Sequence, residues 1–125
     1  MAQVLAIAAG GAMGALMRYW LSNLIYEWFG RGFPWGTLVV NVLGSLVMGV
    51  LFVIMTERTV WSPELRLGLM TGLLGALTTF STFSLESVAL LESGRFGMAL
   101  SNAALSVVVC IAACWLGMLL ARSLS

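Results

Sequence analysis

The charges in this chain are spaced so that three long stretches carry none: residues 32–56, 67–85 and 96–121. A fourth stretch, the first 26 residues, is interrupted only by Arg18. Crossing the hydrocarbon core of a bilayer takes about 20 apolar residues, so each stretch is long enough to span. Little is left to dress a water-facing surface. Charged residues make up 9% of the 125, whereas a soluble domain carries about 25%. The entire supply is six arginines and five glutamates, without Lys, Asp or His. That excludes a soluble enzyme, a nucleic-acid binder with a basic face and a disordered polar chain. What remains is an all-α integral membrane protein.

Four helices are expected, near residues 4–28, 35–56, 65–91 and 97–122, forming one transmembrane domain over 1–125 with no room for a soluble one. The first stretch has no charged lead-in and no small-residue cleavage pattern, so it reads as a span rather than a removed signal. Pro34 and Pro63 fall at helix starts, where proline is tolerated. Tyr26, Trp28, Phe29, Phe33, Trp35, Trp61 and Phe96 cluster at the span ends, the headgroup level that aromatics favour. Gly10/Gly14 and Gly68/Gly72, at four-residue spacing, suit close helix packing.

Four spans place both termini and the second loop on one side of the membrane. That side collects Arg58, Arg66 and Arg122, and the other collects Arg31 and Arg95. Orientation follows the arginine and lysine excess in short loops, and three against two is almost none. Such a chain is able to insert both ways up and to pair as an antiparallel dimer; a single orientation is the alternative.

Cys110 and Cys114, one helical turn apart in the fourth span, read as apolar packing residues. Without His, Lys or Asp, most acid–base and nucleophilic constellations cannot be assembled, and no enzyme is expected. The polar residues inside the spans are therefore the features to explain. The third span carries the densest group, Thr78, Thr79, Ser81, Thr82 and Ser84, five hydroxyls in seven positions just after Gly75. Hydroxyls that bond back to the preceding turn bend helices, so a break is expected at mid-membrane; an unbroken helix whose hydroxyls satisfy themselves locally is the alternative. Such a break is tolerated only inside protein or beside water. Asn41 on the second span, and Asn102, Ser106 and Cys110 along one face of the fourth, form a neutral polar track. Neutral donors suit a small anion in passage; hydrogen bonds that merely join the helices are the alternative. Phe80 and Phe83 lie beside this track, and the edge of an aromatic ring is positive. Arg18 and Glu86 fall at similar depth, so they either pair or leave Arg18 facing a vestibule that draws anions inward.

The pattern resembles the Fluc (CrcB) family of fluoride channels over essentially the whole chain. Gly10-Gly11-Ala-Met-Gly14 with Arg18 is similar to the first-helix signature, and Gly36-Thr37-Leu-Val-Val-Asn41-Val-Leu-Gly44 to the second. The run from Gly72 through Gly75, Thr78, Phe80 and Phe83 to Glu86 is similar to the third. Where family members often carry a second glycine after Gly75, this chain has Ala76. The resemblance implies a dual-topology antiparallel homodimer in the bacterial plasma (inner) membrane, with two fluoride pathways. It implies that Phe80 and Phe83 line the path with ring edges and that Asn41 donates to fluoride. It also implies hydroxyls from Ser81, Thr82 and Ser84 nearby, with Asn102 and Ser106 facing the pathway from the fourth helix. A sodium ion is implied at the dimer centre, held by backbone carbonyls of Gly75 and Thr78 from both copies. The implied activity is passive export of fluoride that entered as neutral hydrogen fluoride, which confers resistance. The rival reading is a proton-coupled small multidrug exporter, also of four spans. Those proteins carry a glutamate within the first span, where this chain has Arg18, with Glu27 only at its edge.

Overall fold

The computed structural model describes residues 1–124. Four helices in it are long and apolar enough to cross a membrane: Ala2–Phe29, Trp35–Arg58, Pro63–Glu92 and Phe96–Ser123. No strand occurs among the described residues. Span 1 is the single helix α1 (Ala2–Phe29), and Gly30 ends it with a positive φ of 80°. Gly94, with φ 78°, does the same service after the third span. A left-handed residue after the last helical turn is the common glycine stop.

Spans 2 and 3 are not uniformly wound. Span 2 begins as α2 (Trp35–Phe52) and finishes as a π-helical turn, Val53–Arg58. Thr59 closes that turn by bonding the Ile54 carbonyl through both its N–H (3.3 Å) and its hydroxyl (2.9 Å). Span 3 opens with α3 (Pro63–Arg66), where Ser62 accepts from the Leu65 N–H at 3.2 Å and Pro63 occupies the first turn. It continues through a π-helical stretch, Leu67–Leu74, into α4 (Gly75–Leu77). Thr78 (φ −84°, ψ 153°) and Thr79 (φ −149°, ψ 122°) are extended, and α5 (Phe80–Glu92) follows. Span 4 is α6 (Phe96–Ser123). The π-helical stretches differ from the regular winding that apolar periodicity leads one to expect. Such winding is rare and has no apolar signature of its own.

Lipid tails are as apolar as leucine, so packing rather than water exclusion holds these helices together. The contacts are correspondingly tight. A Cβ at Gly49 would lie 2.0 Å from the Cys114 carbonyl oxygen, and one at Gly117 would lie 2.2 Å from that of Leu46. The backbones of α2 and α6 therefore touch directly. The four-residue glycine pairs of spans 1 and 3 meet in the same way: a Cβ at Gly10 would lie 2.0 Å from the Gly68 carbonyl oxygen. Between these two seams Val40, Leu74 and Leu77 are buried, with Met17, Leu21 and Met48 packed around them. At the end of the bundle carrying the second loop, Arg122 forks onto Glu57 through Nε (3.1 Å) and Nη2 (2.7 Å). Arg58 donates to the Ala121 carbonyl beside it.

Gly117→Ala is expected to lower the thermal unfolding midpoint in detergent, because overpacking a tight contact costs about 1–3 kcal/mol. Gly97→Ala, where a Cβ meets nothing within 4 Å, is expected to leave the midpoint in place.

Candidate functional site

The site is built around the two extended threonines. Inside hydrocarbon an unsatisfied backbone group costs several kcal/mol, so each peptide group near Thr78 and Thr79 needs a partner. In a continuous helix the Thr79 N–H would bond the Gly75 carbonyl. Here it donates to Asn41 Oδ1 at 2.8 Å, and Asn41 Nδ2 donates back to the Thr79 carbonyl at 3.1 Å. One side chain of α2 thus clasps both polar groups of one peptide residue. The Ala76 carbonyl accepts from Arg18 Nε at 3.0 Å. The Thr82 N–H donates to Thr79 Oγ1 at 3.1 Å, which makes Thr79 the N-cap of α5. Thr78 Oγ1 bonds back to the Leu74 carbonyl at 3.0 Å.

Two cavities flank this hub. The first, of 240 Å³, is lined by Asn41, Phe80, Phe83, Ser106, Val107, Cys110 and Ile111. The Phe80 and Phe83 ring centroids are 5.3 Å apart with planes inclined at 49°. Phe80 is 76% exposed although it lies at the middle of the span. The second cavity, of 320 Å³, has Arg18, Thr37, Thr79, Thr82, Tyr26 and Glu86 in its wall. The Tyr26 hydroxyl donates to Glu86 Oε2 at 2.8 Å, while Oε1 is buried without a partner. Tyr26 and Glu86 also border a third cavity, of 280 Å³, opening beside Arg31 and Arg95. The Tyr26–Glu86 bond is therefore a partition between an arginine-flanked mouth and the mid-span cavity.

Of the residues singled out in the sequence, the first cavity brings together Asn41, Phe80, Phe83 and Ser106. Thr82 lies in the second cavity with Arg18 and Glu86. Ser81 is exposed, its hydroxyl 3.3 Å from Thr79 Oγ1, and Ser84 bonds back to the Phe80 carbonyl at 2.9 Å. Asn102 is 2% exposed and donates to Ser87 Oγ at 3.0 Å; Ser106 reaches its Oδ1 at 3.5 Å. Arg18 and Glu86 share a cavity wall but form no ion pair among the described residues, since the arginine Nε is spent on Ala76. The sequence reading did not single out Tyr26, Thr37 or Ser87 as site residues. Tyr26 passed as a headgroup-level aromatic, and single hydroxyls elsewhere gave no signal. No three His, Cys, Asp or Glu side chains gather as a metal site among the described residues. The chemistry available is that of neutral hydroxyl and amide groups, ring edges, freed carbonyls and one arginine.

The family model described as "CrcB-like protein, Camphor Resistance (CrcB)" matches residues 5–118. The chain belongs to the CrcB family. Within it, a protein of Methylococcus capsulatus called fluoride-specific ion channel FluC is 55% identical over 120 residues, 96% of this chain. The chain spans about half of that protein's length, 53%. Relatives of the same name cover the match nearly end to end. The one from Magnetococcus marinus is 50% identical over 96% of this chain and 98% of its own length. The one from Geobacter metallireducens is 49% identical over 99% and 100%.

In this CrcB chain, Asn41→Ala removes the partners of both Thr79 backbone groups. Each orphaned buried group costs about 1–3 kcal/mol. Hydrogen exchange is expected to show the Thr79 amide losing protection, while amides of α6 retain theirs.

Proposed function

We infer that this chain is a fluoride-specific channel, a passive conductor and not an enzyme. Two lines support the reading: full-length relatives bear that name, and the cavity beside Asn41 offers the chemistry a bare halide needs. The observation that carries it is that cavity, where Asn41, Ser106 and the Phe80–Phe83 pair converge beside an interrupted helix. Fluoride holds its water tightly, so a selective path must replace that water with donors of its own, as other filters do. Hydroxyls and positive ring edges do so without the fixed charge that would trap the ion. Arg18 in the neighbouring cavity attracts anions toward the hub, and Thr82 lies beside it. Accumulated fluoride leaves down its gradient, which lowers its level in the cell and confers resistance. The membrane we assign is the bacterial plasma membrane, which the chain crosses four times.

We further assign an antiparallel homodimer. Gly75, Phe80 and Ser81 are exposed on a single copy at the depth where the backbone leaves the helix. Polar backbone beside hydrocarbon is not tolerated, and a second copy crossing at this point would cover it. The near balance of arginines on the two sides supports insertion both ways up. Sodium fits the same crossing. Thr79 N–H is turned to Asn41 and Thr82 N–H to Thr79, so the carbonyls of Gly75 and Thr78 are released from their usual helical donors. Hard cations prefer such oxygens. Gly75 and Thr78 of two copies would hold the ion, which supplies a positive charge that fastens the two crossings together.

Reconstituted liposomes are expected to dissipate a fluoride gradient rapidly and to retain a chloride gradient. Equal rates for the two anions, or no fluoride flux, would defeat the assignment. Phe80→Ile and Phe83→Ile are each expected to slow fluoride flux severely while the dimer still assembles. A tag on one terminus is expected to be accessible from both faces of intact vesicles; access from one face alone would refute dual topology.

A further inference from the structure

Among the described residues, every arginine but one is accounted for by a partner in the chain. Arg18 bonds the Ala76 carbonyl, Arg31 bonds Asn23, Arg58 bonds the Ala121 carbonyl, Arg95 bonds the Gly32 carbonyl, and Arg122 pairs with Glu57. The guanidinium of Arg66 makes no hydrogen bond or ion pair among the described residues, and its Nε is buried. A buried donor of a charged group without an acceptor is costly. An acceptor from outside the chain would relieve that cost.

The surroundings state what kind of acceptor. Arg66 borders a cavity of 450 Å³, larger than the three described above, together with the polar side chains of Gln3, Thr56 and Thr71. Its other wall is apolar, with Phe52, Leu67 and Met70. No carboxylate lines it: Glu57 is held by Arg122, and Glu64 borders a different cavity. The depth is interfacial. Arg66 sits in the opening turn of span 3, five residues after Trp61. Both π-helical stretches contribute to the wall, Thr56 from Val53–Arg58 and Leu67, Met70 and Thr71 from Leu67–Leu74. Wide turns of this kind recur at functional sites. A pocket with one arginine, no carboxylate and a wall that is part polar and part apolar, at headgroup depth, matches one ligand chemistry.

We propose that the Arg66 cavity binds the phosphodiester of an anionic membrane phospholipid. The guanidinium takes the phosphate oxygens, Gln3 and Thr71 reach the headgroup hydroxyls, and Phe52 and Met70 receive the start of an acyl chain. Arginine is suited to this task because its planar fork matches phosphate oxygens. The site lies at the end of the bundle away from Arg31 and Arg95, and it stands independently of the ion that the channel conducts.

The test is native mass spectrometry of the purified full-length protein titrated with phosphatidylglycerol or phosphatidylcholine, with fluoride flux in liposomes as a check on folding. The wild type is expected to retain phosphatidylglycerol in preference to phosphatidylcholine. Arg66→Gln is expected to bind phosphatidylglycerol about tenfold to a hundredfold more weakly while conducting as the wild type does. Arg95→Gln is expected to leave binding unchanged. Thr71→Phe, which fills the cavity and keeps the arginine, is expected to lose the lipid as well; it decides the matter if Arg66→Gln does not fold. Undiminished binding in Arg66→Gln or in Thr71→Phe would overturn the proposal. Displacement of the lipid by millimolar inorganic phosphate would assign the site to a free anion instead. Retention of lipid by Arg66→Gln with dissociation to monomers would assign the arginine to a contact between copies. Failure of the wild type to conduct fluoride would overturn the channel assignment and leave the lipid measurement standing.

Discussion

The clasp between Asn41 and the Thr79 peptide groups is the interaction on which the rest depends. Leaving helical geometry in the middle of a bilayer releases backbone donors and acceptors where no water can take them. Asn41 answers one donor and one acceptor with a single amide, at 2.8 and 3.1 Å. Arg18 answers the carbonyl of Ala76, and Thr79 answers the N–H of Thr82. Three residues from three spans thus converge on one short extended segment. Without them span 3 would gain by closing into a regular helix, and the cavities on either side of Thr79 would lose their walls.

The same economy explains why the polar residues of this chain have two employments. Thr79 caps α5 and borders a cavity; Arg18 secures a carbonyl and places positive charge beside that cavity. Asn41 holds the backbone with one amide hydrogen and still lines the space next to Phe80 and Phe83. In a membrane, a polar group that only structured the fold or only faced a ligand would leave part of its hydrogen-bonding capacity unmet. Sharing meets both demands with very few such groups.

Much of this was legible in the sequence because hydrocarbon imposes a simple rule on charge. Uncharged stretches, aromatic edges and paired glycines marked four apolar helices, and the hydroxyl cluster at 78–84 drew attention to the segment where Thr78 and Thr79 are extended. The partners were less legible. Arg18 and Glu86 share a depth, and depth alone left an ion pair open. The actual partners, a carbonyl and the Tyr26 hydroxyl, depend on azimuth around the helices, which hydropathy does not encode. Tyr26 resembled any headgroup-level aromatic, and nothing in the sequence marked Ser87 as the partner of Asn102. Its burial against Ser87 arises from how α5 leans on α6. The π-helical stretches at 53–58 and 67–74 also left no mark, because winding is set by contacts between spans.

The backbone-to-backbone seam of α2 and α6 has a consequence for how the molecule tolerates change. Where Gly49 faces Cys114 and Gly117 faces Leu46, no side chain of any size fits without forcing the helices apart. At Val108 and Trp115 of α6, by contrast, the side chains stand largely exposed, and exchanging one apolar side chain for another there forces no backbones apart. The protein is thus rigidly specified where two backbones touch and permissive where a side chain meets no neighbour in its own chain.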